Sequence, residues 1–196
     1  LVSDMAGLAT VRWKAEGYGL KLAKDDPRGR LILTELKRLE HEGWHFEGAE
    51  ASFELLVHRL TKAYRRPFDL VDYRVEVQRR AGGTLVSEAT LKVRVGGVEE
   101  HTVAEGDGPV NALDRALRKA LGRFYPQLKA VHLADYKVRV VNPQAATAAK
   151  VRVLIESTDG TEVWSTVGVS ENIIEASWLA LADSVAYKLL HARGRR

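Results

Sequence analysis

The sequence predicts an α+β protein in which a helical N-terminal segment is followed by a duplicated βββα unit. Apolar residues recur at helical spacing up to residue 66, and after it they alternate with polar residues as they do in strands. The order of three strands and a helix then occurs twice, which indicates a tandem repeat with pseudo-two-fold symmetry. The predicted domains are a helical segment at 1–66 and a duplicated domain at 67–196, with repeats at 67–125 and 131–192.

Three helices are predicted in the N-terminal segment. Asp26 followed by Pro27 is typical of an N-cap and the first helical position, and Gly43 is a suitable stop for this helix. A further helix is predicted from about Gly48 to Tyr64, and a weaker one from Val11 to Leu20.

The first repeat begins at Pro67, which disfavours helix at the residue before it. Its strands are predicted around Tyr73, around Leu91 and from Glu99 to Ala104. Glycine pairs at 82–83 and 96–97 supply the turns between them. A helix with one apolar face is predicted from Pro109.

The second repeat follows the same order. Its strands are predicted around Tyr136, from Val151 to Ile155 and from Glu162 to Val169. Asp159 and Gly160 form a turn before the last of them, and a final helix carries Ile174, Trp178 and Leu181 on one apolar stripe.

The composition excludes several classes of protein. No apolar run approaches the ~18 residues of a membrane-spanning helix. The absence of cysteine excludes disulfides, thiolate zinc sites and cysteine nucleophiles, and is compatible with the cytoplasmic location that we expect. The net charge is only +4, and three arginines lie in the last four residues, so we expect neither nucleic acid nor membrane as a partner. The chain begins with Leu1, and we expect it to be a segment of a longer protein.

Residues 41–45 match the zinc-binding pattern H-E-x-x-H, in which two histidines one helical turn apart hold the metal. Gly43, however, also suits the end of the preceding helix, which would prevent His41 and His45 from sharing a helical face. We therefore expect no metal site here.

Two strand-to-helix junctions, at 106–111 and 168–172, lie at equivalent places in the repeats. Backbone N–H groups at a helix start suit a carboxylate or phosphate, although glycines there could equally serve only the turn. Tyr73 and Tyr136 occupy matched positions and are either core residues or ligand contacts. No nucleophile and base stand together, so the residues indicate a binding or assembly module without a catalytic group.

Several stretches resemble one known family. Residues 40–56, EHEGWHFEGAEASFELL, resemble the linker helices of the (R)-citramalate synthases, as do residues 1–7 and 24–28. Residues 105–112 and 168–177 are similar to the regulatory domain that this family shares with the 2-isopropylmalate synthases.

The resemblance implies a function that depends on parts outside this chain. Full-length members carry a TIM barrel that condenses acetyl-CoA with a 2-oxo acid, pyruvate for citramalate synthase on the route to isoleucine, with a divalent metal. This chain lacks the barrel, so we expect neither catalysis nor a cofactor in it. The family's regulatory domain forms a homodimer and binds the branched-chain end product.

The resemblance also implies an effector site. The corresponding positions are Val110, Asn111, Leu133, Tyr136, Val140, Thr147, Val151, Glu171 and Ile173, together with Gly106 and Gly108 of the first junction. In this assignment Tyr136, Val140 and Val151 surround the aliphatic side chain, Glu171 lies near the ammonium group, and helix N-termini take the carboxylate. The expected function is feedback inhibition by isoleucine. Leucine as the effector and a dimerisation module without effector remain alternatives.

Overall fold

The computed structural model describes residues 7–61, 64–141, 144 and 149–193. The α-helices in these ranges are α1 (Leu8–Gly17), α2 (Pro27–His41), α3 (Glu50–Leu60), α4 (Pro109–Leu121) and α5 (Ile173–Arg193). The strands are β1 (Asp69–Arg79), β2 (Leu85–Val95), β3 (Val98–Gly106), β4 (His132–Val140), β5 (Val151–Thr158) and β6 (Val163–Ser170). A short 3₁₀ helix, Pro126–Ala130, precedes β4. The α+β class and the duplicated βββα order are confirmed.

The chain divides into two compact units. One contains the residues up to Arg65 together with Leu133–Tyr187, and the other contains Arg66–His132 together with the chain from Lys188. The N-terminal helices therefore group with the second repeat. The sequence-based domain limits, 1–66 and 67–196 with repeats at 67–125 and 131–192, remain a prediction.

The ends of α2 follow the sequence signals. The Asp26 side chain accepts a hydrogen bond of 2.9 Å from the Arg28 backbone N–H, and Pro27 is the first helical residue. The helix ends at His41, and Gly43 follows with φ at +101°, a conformation that glycine adopts without a steric penalty.

Helix α3 is shorter than the sequence predicted. It begins at Glu50 because Gly48, with φ at +75°, turns the chain before it. It ends at Leu60, where Thr61 takes a non-helical conformation and its hydroxyl donates to the Val57 carbonyl at 2.8 Å. The prediction of helix from Gly48 to Tyr64 was therefore too long at both ends.

The first repeat is an antiparallel sheet in the order β1-β2-β3 with α4 against one face. The turn before β2 contains Gly83 at φ +84°, and Gly96 and Gly97 form the next turn at φ +55° and +87°. The apolar stripe of α4 is fully buried against the sheet, and the hydroxyl of Thr102 on β3 donates to the Ala116 carbonyl of that helix at 2.9 Å.

The second repeat is a sheet in the order β4-β5-β6 with α5 against one face. The Thr166 hydroxyl on β6 donates to the Ala180 carbonyl of α5 at 2.8 Å. Thr102 and Thr166 are 64 positions apart, as are the first residues of α4 and α5, Pro109 and Ile173. The same strand-to-helix hydrogen bond thus recurs at matched positions, which supports a true internal duplication.

The N-terminal helices cover the other face of the second sheet. Their core contains Ile32, Leu36, Phe46 and Phe53, and it includes Val167 of β6. Because Val167 and Thr166 are neighbours on one strand, they point to opposite faces. Strand β6 is consequently buried on both faces, which explains its unbroken run of buried residues, Thr166–Val169.

Candidate functional site

In the second repeat, Tyr136 of β4 is linked to the start of α5 through Ser177. The Tyr136 hydroxyl lies 2.9 Å from Ser177 Oγ, and Ser177 Oγ donates to the Ile173 carbonyl at 2.7 Å. Because the single Ser177 hydroxyl proton serves that carbonyl, Tyr136 is the donor in the first bond. The half-buried tyrosine is therefore held in one orientation, with Ile173 at the other end of the chain of bonds.

Strand pairing brings Val140 and Val151 together. The Val141 N–H donates to the Lys150 carbonyl at 2.8 Å, so Val140 and Val151 lie immediately beside this bond on neighbouring strands. Val140 is 55% exposed, and Ile173 is 43% exposed. Leu133, half-buried, lies on the same strand but an odd number of positions from Tyr136 and Val140, so strand alternation directs it to the other face of the sheet. This part of the predicted site is an open apolar surface along the edge strand β4.

The loop before α5 is organised by Asn172. Its Oδ1 accepts from the backbone N–H groups of Ile174 at 2.8 Å and Glu175 at 3.4 Å, so the first helical amides already have a partner. Glu171, one residue earlier, is exposed. The sequence analysis did not identify this cap, although an asparagine before an apolar helix is a recognised signal for one.

The first repeat has a different junction at the same place. Gly108 is the N-cap of α4 in an extended conformation, and it offers no side chain to the helical amides. The Asn111 side chain instead accepts from the Asp107 N–H at 3.2 Å, and Val110 is half-buried. This helix start therefore leaves its first amides without the side-chain cap that α5 has, which suits an anionic group.

Gly106 has a steric role of its own. A Cβ atom built on it would lie 2.3 Å from the Ala112 backbone nitrogen, so only glycine allows β3 to approach α4 this closely. The predicted site residues of this junction, Gly106, Gly108, Val110 and Asn111, and those of the second repeat belong to different compact units. Thr147 lies outside the described residues.

The histidine motif has no zinc-binding geometry. His41 is the last residue of α2, whereas His45 follows the turn at Gly43 and lies 3.3 Å from Glu47. The expectation that these histidines do not share a helical face is confirmed. In the described part of the chain, no group of three or more His, Asp or Glu residues could hold a metal ion, and no helix could cross a membrane.

A buried polar network that the sequence analysis missed connects α3 with the second repeat. Ser52 donates to Asp183 of α5 at 2.9 Å and accepts from the Val167 N–H of β6 at 3.0 Å. Asp183 also accepts from Arg59 of α3 at 2.5 Å. Ser52 and Asp183 are 131 positions apart, so no local pattern in the sequence could have paired them.

Two tyrosines of the same unit have perturbed acidity. Burial, together with the nearby carboxylates Glu50 and Glu54, raises the pKa of Tyr18. Burial also raises the pKa of Tyr187 to about 12. Both hydroxyls therefore keep their protons to a higher pH than the hydroxyl of an unfolded tyrosine.

Comparison with known proteins gives consistent matches. Residues 47–189 match the family model described as the LeuA allosteric (dimerisation) domain. The chain is 53% identical over 190 residues to the (R)-citramalate synthases of Aquifex aeolicus and Geobacter sulfurreducens, which covers 96% of this chain and 36% of each relative. It is 29% identical over 184 residues to the 2-isopropylmalate synthase of Aquifex aeolicus, which covers 81% of this chain and 34% of that protein. The chain thus spans about a third of the length of these curated relatives.

Proposed function

Because the chain belongs to the LeuA allosteric (dimerisation) domain family, we propose that it is the regulatory and dimerisation region of an (R)-citramalate synthase. The observation that carries this proposal is the difference between the two groups of relatives. The citramalate synthases match nearly the whole chain at up to 53% identity, whereas the 2-isopropylmalate synthase match has lower identity and shorter coverage. In the whole protein, a catalytic part outside this chain would join acetyl-CoA to pyruvate, with a divalent metal held there.

The regulatory ligand that we propose is isoleucine. The sec-butyl side chain would lie on the apolar surface of Tyr136, Val140 and Val151, where it covers exposed hydrocarbon. The exposed carboxylate of Glu171 suits the ammonium group of this ligand. Ile173, exposed at the start of α5, is a further contact proposed within this unit. The contacts that the resemblance assigns to Leu133, Val110 and Asn111 stay predictions.

Feedback inhibition then needs a route from this surface to the rest of the protein. Ligand contact at Tyr136 and Ile173 would act on the start of α5, and α5 is tied through Asp183 to Ser52 and Arg59 of α3. Isoleucine would inhibit by binding one arrangement of these elements, and of the homodimer, more tightly than another.

Calorimetric titration of isoleucine, leucine and valine into the chain tests the proposal. We expect saturable binding of isoleucine at one site per chain, with leucine weaker by a factor corresponding to ~1–3 kcal/mol for a methyl-scale difference. A preference for leucine would instead indicate a 2-isopropylmalate synthase. Silence towards all three, from a chain that sediments as a dimer, would indicate a dimerisation module without effector.

Replacement of the tyrosine locates the ligand. We expect Tyr136→Ala to abolish isoleucine binding while the chain still sediments as a dimer, because this side chain is only partly buried. Tyr136→Phe, which removes only the hydroxyl bonded to Ser177, serves as the conservative control. Loss of the dimer in Tyr136→Ala would show that this tyrosine is a core residue.

A further inference from the structure

A pocket of about 160 Å³ lies on the face of the second sheet opposite α5. Strands β4 and β5 form one side of it, and the turn that follows α2 forms the other. Its lining residues are His45, Glu47, Lys137, Arg139, Arg152 and Leu154. The volume is well above the space that a single water molecule requires. All of these residues belong to one compact unit, and none is among the positions assigned to the effector.

The turn that closes this pocket is fixed on the sheet. Arg152 donates from Nε at 2.7 Å and from Nη2 at 2.5 Å to the Gly43 carbonyl. A Cβ atom on Gly43 would lie 2.8 Å from Val141 Cγ1, and its φ of +101° also favours glycine. The wall therefore exists before any ligand arrives, so binding would require little reorganisation.

The charges of the pocket are unbalanced. Three cationic side chains line it against the single carboxylate of Glu47, and Glu47 is already 3.3 Å from His45. Lys137 forms an ion pair with Asp135 on the same strand. Asp135 raises the pKa of Lys137, and Arg139, which has no ion pair among the described residues, acts in the opposite direction. A small anion beside Arg139 and Arg152 would supply a counter-charge to Arg139.

The equivalent place in the first repeat lacks this concentration of positive charge. Leu91 of β2 pairs with Thr102, and Ile155 of β5 pairs with the equivalent Thr166. Leu91 and Ile155 are therefore equivalent positions, and three residues before them Glu88 is the counterpart of Arg152. On β1, the counterpart of β4, Arg74 lies 3.2 Å from Glu76. The basic pocket is thus a feature of the second repeat and does not follow from the shared βββα fold.

We propose that the pocket formed by residues 43–47, β4 and β5 binds a phosphate group, held by the guanidinium groups of Arg139 and Arg152 with Lys137 as an additional point charge. The guanidinium group of Arg139 can match a phosphate with paired N–H donors. Arg152, whose Nε and Nη2 already donate to the Gly43 carbonyl, and the ammonium group of Lys137 add positive charge beside it. The inference is independent of the effector proposal, since it uses the opposite face of the sheet.

Titration with inorganic phosphate tests this inference. The chain is titrated in a phosphate-free buffer at constant ionic strength while the backbone amide resonances are followed by NMR, with sodium chloride as the reference anion. We expect saturable shifts confined to residues 43–47, 137–139 and 152–154. Shifts spread over the surface, or equal shifts with chloride, would overturn the proposal. A parallel titration with adenosine monophosphate distinguishes the sources: tighter binding indicates a phosphorylated small molecule, and equal binding indicates the free anion.

Two charge-matched variants complete the test. We expect Arg139→Gln to weaken phosphate binding by about fivefold or more, and Arg74→Gln to leave it within about twofold, although each removes one exposed arginine from a first strand. Both side chains lie in solvent, so both variants are expected to fold, which the unshifted remainder of the spectrum verifies. An equal loss of phosphate affinity in the two variants would show that phosphate is attracted only by the overall positive charge, and it would refute the site.

Discussion

Single glycines decide how closely the third strand of each repeat approaches its helix. Gly106 would place a Cβ 2.3 Å from the Ala112 nitrogen, and Gly168 would place one 2.1 Å from the Ala176 carbonyl oxygen. Neither glycine has a positive φ, so the requirement is one of space and not of backbone conformation. Space around the glycine can differ sharply over two residues, because a Cβ on Gly108 would meet nothing within 4 Å.

Gly106 and Gly108 provide a direct comparison. We expect Gly106→Ala to lower the free energy of unfolding by about 2–3 kcal/mol, because the methyl group forces the backbone of α4 away from β3. Gly108→Ala has open space and an extended backbone, and we expect a change within about 1 kcal/mol. Urea denaturation of both variants measures the difference, and equal losses would contradict the steric explanation.

At the scale of elements, α3 supplies a hydrogen-bond partner to the edge strand β6 of the second sheet. Strand β6 pairs with β5 on one side, and on the other its Val167 N–H is bound by the Ser52 hydroxyl of α3. An unprotected edge would offer such groups to other chains. The same serine holds Asp183, so one small side chain joins α3 to both a strand and a helix.

A double-mutant cycle at Ser52 and Asp183 tests this connection. We expect Ser52→Ala to destabilise the protein by about 1–3 kcal/mol, because it removes the partner of a buried N–H and one partner of a buried carboxylate. With Asp183→Asn as the second variant, we expect a coupling energy above about 0.5 kcal/mol in chemical denaturation. Additive losses would show that the two residues act separately.

For the molecule as a whole, two half-buried tyrosines contribute to the response of stability to alkaline pH. The pKa values of Tyr18 and Tyr187 are raised mainly by burial. An unfolded tyrosine loses its proton near pH 10, whereas folded Tyr187 keeps its proton to about pH 12. Between these values the unfolded chain binds fewer protons than the folded one, so stability falls as the pH rises.

The urea midpoint should therefore be lower at pH 11 than at pH 9, and Tyr187→Phe should reduce this fall. The comparison of the two proteins isolates the tyrosine from the lysines that titrate in the same range. An identical pH dependence in Tyr187→Phe and the unsubstituted chain would mean that the hydroxyl is as acidic in the folded state as in the unfolded one.

Much of the fold could be predicted because its signals are local. Asp26 and Pro27 mark the start of α2, and the glycine pair at 96–97 marks a turn, since each acts through its own backbone. The packing partner of the N-terminal helices could not be predicted. Periodicity identifies the apolar stripe of α3, but any apolar surface would satisfy it. Only the three-dimensional arrangement places Phe53 and Val167 of β6 in one buried cluster.

The candidate site likewise has features that the sequence could predict and features that it could not. The adjacency of Val140 and Val151 follows from strand order, which the sequence indicates. The hydrogen bonds from Tyr136 to Ser177, 41 positions away, and from Ser177 to the Ile173 carbonyl depend on how α5 crosses its sheet. No rule of sequence spacing specifies how α5 packs across the sheet, so the orientation of the Tyr136 side chain could be determined only from the structure.

The unequal surroundings of the two sheets have an evolutionary consequence. The second sheet lies between α5 and the N-terminal helices, whereas the first carries side chains such as Arg74 and Arg94 in solvent on the face away from α4. After a duplication, mutational drift is tolerated where side chains meet only water. The outer face of β1–β3 is accordingly the surface of the duplicated domain on which substitutions that add charges, or contacts to new partners, destabilise the fold least.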